Sequence, residues 1–169
     1  EEIDYSSHNL WLIDDDLAYA EYVSSDRTPT GKGRAKGQYA HDLLVNSQNE
    51  LLVVEMKRPQ KETFESGEEA TQRTNNPIQQ LIDQVDQIRE KGQILTSKNR
   101  SIVIPEKQMV RGYVLTDWND KLQRYLRNND FVQTDFGGPM AYRYYRELNM
   151  LIEVLAFDRL ADRATKRNE

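Results

Sequence analysis

Three charged residues interrupt two apolar stretches of the chain. One stretch reads His41-Asp42-Leu43-Leu44-Val45. The other reads Leu51-Leu52-Val53-Val54-Glu55-Met56-Lys57-Arg58-Pro59. A charge placed among strand residues is expensive to bury unless it is paired or binds a metal, so Asp42, Glu55 and Lys57 need a reason. Two carboxylates with no imidazole or thiolate beside them favour a hard cation, Mg²⁺ or Mn²⁺. A lysine next to them can orient a water and neutralise charge that develops at a phosphate. Two acids and a lysine are the toolkit of metal-assisted phosphodiester hydrolysis.

The elements that must position these residues are legible from periodicity. Residues 38–46 and 50–57 are apolar and flank a polar turn around Ser47-Gln48, which predicts a hairpin. Residues two apart on a strand share a face, so Glu55 and Lys57 point the same way. If the turn pairs Val45 with Glu50, Asp42 falls opposite Val53 and diagonal to Glu55. The Cα atoms of the two acids are then about 7–8 Å apart, close enough to converge on one cation. A one-residue slip would send Asp42 to the other face. The unbroken run Leu51–Val54 predicts a strand covered on both faces.

Residues 9–23 place Leu10, Ile13, Leu17 and Tyr22 at helical spacing and predict a first helix. Residues 24–37 and 60–76 read as loops. Asn76-Pro77 opens a helix whose apolar stripe is Ile78, Leu81, Ile82, Val85 and Ile88, and Gly92 ends it. A strand at 109–116, a helix near 118–128, a short edge strand at Phe131-Val132, a strand at 148–157 and a basic helix from about 158 complete the order. These elements predict one α/β domain over residues 1–169, an α/β/α sandwich around a mixed central sheet.

Composition narrows the function further. The 169 residues contain no cysteine and only two histidines, His8 and His41, which excludes disulfide scaffolds, thiolate chemistry and a multi-histidine zinc site. Apolar runs fall far short of the roughly 20 residues of a membrane helix, and no signal peptide is visible, so a cytoplasmic location without a membrane partner is expected. The start at Glu1-Glu2 is expected to be a cut from a longer chain. With a formal charge of -5, any nucleic-acid contact must come from local basic clusters. No nucleophile elbow for a serine hydrolase stands out.

Asp42 followed by Glu55-Met56-Lys57 resembles the PD-(D/E)XK nuclease superfamily, with His41 where proline is usual. The resemblance implies a restriction-endonuclease-like fold and metal held by Asp42, Glu55 and the Met56 backbone carbonyl. It makes Lys57 the residue that positions the attacking water. Relatives often carry a glutamine on the next helix and a tyrosine four residues later; here Gln80 fits the first position and Gln84 stands at the second. An acid from the first helix often joins the site, and Asp14, Asp15 and Glu21 are the candidates, with Asp15 carried as the possible fourth ligand. More broadly, the chain looks like the nuclease-like domains at the C-terminus of bacterial proteins with an Hsp90/gyrase-type ATPase module, and like Shedu-type phage-defence nucleases around the Glu55-Met56-Lys57 strand. DNA as substrate, 5′-phosphate products, partner domains including an ATPase module, and homodimers that cut both strands are what this resemblance implies.

Plainer readings compete at each position. Asp42, Glu55 and Lys57 could form a structural ion cluster. Gln80 and Gln84 could face solvent, and Asp14-Asp15-Asp16 could serve a helix N-terminus. The run Gly31 to Gly37 lacks the spacing of a phosphate-binding P-loop. It reads instead as a basic segment whose Arg27, Lys32, Arg34 and Lys36, together with Arg58, reach a nucleic-acid backbone, or as an ordinary loop. Arg159, Arg163, Lys166 and Arg167 read as charge at a helix C-terminus. The alternative to an enzyme is a catalytically silent module that binds nucleic acid or a partner beside an ATPase.

Overall fold

The computed structural model describes residues 22–24, 43–46, 50–57, 76–95, 101–134 and 139–159. The loops at 25–37 and 60–75, most of the predicted first helix and the chain beyond 159 lie outside the described residues.

Strands β1 (Tyr22–Ser24), β2 (Leu43–Asn46) and β3 (Glu50–Met56) lead into helix α1 (Pro77–Lys91). A small hairpin of β4 (Gln93–Leu95) and β5 (Ser101–Val103) follows. The chain continues through β6 (Met109–Thr116), α2 (Asp120–Asn128), β7 (Val132–Thr134), β8 (Met140–Tyr145) and β9 (Met150–Ala156). Among the described residues, seven strands form one mixed sheet in the order β1-β2-β3-β6-β9-β8-β7. Its centre is parallel, β3 against β6 and β6 against β9, and its flanks are antiparallel. The result is the mixed α/β class expected from the pattern. Among the described residues no helix is long and apolar enough to cross a membrane.

The two faces of the sheet carry separate apolar clusters. Leu44, Leu51, Val53, Val110, Val114, Ile152 and Val154 face one way and pack with Ile78, Leu81, Val85 and Ile88 of α1 and with Leu122 and Leu126 of α2. Val45, Leu52, Val54, Tyr113, Leu115 and Leu155 form the other cluster. Leu51 through Val54 are therefore buried on both faces, as their unbroken apolar run required.

Helix α1 begins and ends where the sequence places it. The Asn76 Oδ1 accepts from the backbone N–H groups of Ile78 and Gln79 at 3.0 and 3.2 Å, Pro77 opens the first turn, and Gly92 closes the helix at φ 62°. A Cβ on Gly112 in the middle of β6 would meet Leu81 Cδ2 at 2.7 Å, so glycine there sets how closely α1 approaches the sheet. At the far end, the Arg89 guanidinium donates to the carbonyls of Pro105, Gln108 and Leu148, tying α1 to the segments that enter β6 and β9.

Several expectations need correction. Val45 pairs with Leu52 and Leu44 with Val53, so the hairpin is shifted two residues from the pairing of Val45 with Glu50. The cause is Asn46, which stays in the ladder opposite Leu51 and accepts from Gln108 Nε2 at 3.0 Å instead of joining the turn. A two-residue shift preserves the faces. Tyr22 and Val23, read as the end of a helix, are strand residues paired with Asn46 and Val45. Arg159, read as charge at a helix C-terminus, is buried.

Candidate active site

Alternation along β3 turns Leu51, Val53 and Glu55 toward α1, and Lys57 continues that phase one step past the strand. The Lys57 backbone N–H donates to the Leu115 carbonyl at 2.9 Å, which holds the residue against β6. Gln80 sits one turn into α1, placed there by the Asn76 cap. The three side chains meet: Lys57 Nζ lies 2.5 Å from Glu55 Oε1 and donates to Gln80 Oε1 at 2.7 Å.

Burial gives this cluster its weight. Glu55 is 3% exposed and Gln80 6%. A carboxylate so placed is costly unless a cation accompanies it, and Lys57 supplies one. The site stands at the carboxyl ends of the parallel strands β3 and β6, beside the start of α1. That edge of an open α/β sheet is where ligands bind.

Of the residues expected to act together, Glu55, Lys57 and Gln80 converge. Met56 follows Glu55 on the opposite face of β3 and is 45% exposed. Asp42, Asp14, Asp15, Glu21, Arg27, Lys32, Arg34, Lys36 and Arg58 lie outside the described residues. The pair Leu43 and Val54 is the rung adjoining both Asp42 and Glu55 in sequence. Among the described residues no group of three His, Cys, Asp or Glu side chains could hold a metal ion. Glu55 is the one described carboxylate of the expected ligand set, and carboxylate oxygen suits a hard cation.

Gln80 and Gln84 are both buried, which removes the solvent-facing reading of these two glutamines. Gln84 is 1% exposed, and its Oε1 has no hydrogen-bond partner among the described residues. Sequence reasoning left both readings open although the signal was present, since Pro77, Gln80, Gln84 and Ile88 follow one another at helical spacing along the buried side. It missed the layer beside α1. The Asn76 amide hydrogen-bonds the Tyr125 hydroxyl of α2, and burial raises the pKa of that hydroxyl above the ordinary tyrosine value.

No family model, curated protein or solved structure matches the chain.

Proposed function

We propose that the chain is a metal-dependent nuclease domain of restriction-endonuclease-like architecture, acting on DNA. The observation that carries this reading is the buried junction of Lys57 Nζ with Glu55 Oε1 and Gln80 Oε1 at the carboxyl ends of parallel strands. A ladder continued one pair beyond Leu43 and Val54 would set Asp42 opposite Glu55, so that both carboxylates could hold one Mg²⁺ or Mn²⁺ together with the Met56 carbonyl. The chemistry such a cation supplies is neutralisation of phosphate charge and acidification of a bound water. The Glu55 carboxylate would serve as ligand and hold the Lys57 ammonium in place. Lys57 would direct a hydrogen bond toward the attacking water or the phosphate oxygen. Gln80, anchored on α1, would keep the lysine from swinging out to solvent.

A second reading, a non-cleaving module that binds nucleic acid or a partner, is favoured by one detail: Lys57 is already satisfied by Glu55 and Gln80, as a structural ion pair would be. Calorimetric titration with Mn²⁺ separates the two. The nuclease reading expects saturable binding that Glu55→Ala abolishes. An absence of heat up to several millimolar Mn²⁺ contradicts it.

A further inference from the structure

Helices α1 and α2 lie in one layer on the same face of the sheet, since both contribute to the same apolar cluster. Each leaves the carboxyl end of a parallel strand, so both helices start at the edge that holds Lys57. The Asn76–Tyr125 hydrogen bond joins the cap of α1 to the second turn of α2. Gln80 is one helical turn from Asn76, roughly 6 Å along the axis.

Helix α2 buries Leu122 and Leu126 and exposes Lys121, Arg124 and Arg127. These cations recur every third residue, about 4.5 Å apart along the axis, and fan over the side opposite the buried leucines. No acid stands among residues 121–129. At the end of the helix the half-buried Arg143 of β8 donates to the Asn129 carbonyl at 2.6 Å and lies over the Tyr145 ring. The opposite edge of the sheet differs. Its exposed Lys91, Lys107 and Arg146 each stand next to a glutamate, namely Glu90, Glu106 and Glu147. On α2 the acids Asp120 and Asp130 stand only at the two ends, and the exposed Lys121, Arg124 and Arg127 run between them without an acid, in a chain whose formal charge is -5.

We infer that the outer face of α2, through Lys121, Arg124 and Arg127, is the surface along which a nucleic-acid backbone lies as it enters the Glu55–Lys57 site. The proposal rests on the nucleic-acid reading given above. Phosphate is the partner whose charge complements a row of exposed cations, so binding through Lys121, Arg124 and Arg127 is independent of sequence and steeply dependent on salt.

The test is fluorescence anisotropy with a labelled 20-base-pair DNA duplex in EDTA, from 50 to 200 mM KCl. Lys121→Glu/Arg124→Glu/Arg127→Glu is compared with Lys91→Glu/Lys107→Glu/Arg146→Glu, which changes the net charge by the same amount at the other edge. The α2 variant is expected to bind about tenfold more weakly or worse, and to lower the salt slope by about 2 to 3. The control should stay within about twofold of the unmodified chain. Equal weakening by both variants overturns the proposal, as does no change in either. Binding to phosphatidylserine vesicles in place of DNA overturns it too. A duplex that binds through α2 but is never cut with Mn²⁺ leaves this surface standing and removes the nuclease reading. Cleavage together with unchanged binding by the α2 variant does the reverse. If the unmodified chain binds no duplex, both fall.

Discussion

Lys57 Nζ sits 2.5 Å from Glu55 Oε1, two residues back on the same strand face, and the carboxylate it meets is almost wholly buried. The ion pair therefore belongs to the core as much as to a site, and removing Lys57 takes a cation away from a buried carboxylate. Lys57→Met should lower stability by about 3 kcal/mol. The double variant Glu55→Gln/Lys57→Met should recover most of that loss. Urea denaturation of the two variants and of the unmodified chain measures the difference, and independent, additive losses would contradict the coupling.

Gln84 offers the opposite case. Its Oε1 is buried without a partner among the described residues, so that oxygen carries a desolvation cost that nothing described offsets. Gln84→Met keeps the volume and removes the polar atom. It should raise stability by about 1 kcal/mol. A loss of similar size in thermal or urea unfolding would show that the amide is satisfied after all.

The close approach of α1 to β6 should be equally measurable. Gly112→Ala places a methyl group against Leu81 and should cost about 1–3 kcal/mol through overpacking. Gly112→Ala/Leu81→Ala should lose less than the sum of its single variants, because the smaller side chain removes the clash. Additivity in a double-mutant cycle would mean that the two residues do not press on each other.

The hydroxyl of Tyr113 is held well above the ordinary tyrosine value, chiefly by burial and then by the neighbouring Glu153 carboxylate; Arg111 acts the other way. Burial likewise raises Tyr125 and Tyr145. Below about pH 10 the tyrosines are neutral in both folded and unfolded chains, and their contribution to stability is intact. Above that pH the unfolded chain releases protons that the folded chain retains, so stability falls as pH rises. Unfolding free energy followed from pH 8 to 11.5 should be level and then decline. Tyr113→Phe should make the decline shallower.

What the sequence disclosed, and what it hid, follows from which forces were local. The start of α1 was readable because Asn76, Pro77 and Gly92 act within a turn of themselves. The shared face of Glu55 and Lys57 was readable because strand alternation is a local rule. The hairpin register was not, since Asn46 is kept in the ladder by Gln108, 62 residues away in sequence. Strand β8 went unread because its alternation, with Ala141 buried and Tyr142 and Tyr144 exposed, places its largest side chains outside the core. The phosphodiesterase reading came from the types and spacing of Asp42, Glu55 and Lys57. The structure adds the meeting of Glu55, Lys57 and Gln80, a contact across 23 residues that spacing alone could only suggest.

The most direct test of the central claim is cleavage of supercoiled plasmid and single-stranded DNA with Mn²⁺ or Mg²⁺ by the unmodified chain, Glu55→Ala and Lys57→Ala. The account predicts metal-dependent cutting by the unmodified chain and a loss of at least about 100-fold in each variant, as expected when a group stabilising the reacting phosphate or water is removed. Equal cutting by all three would contradict the assignment of the site, and no cutting of either substrate with either metal would contradict the activity.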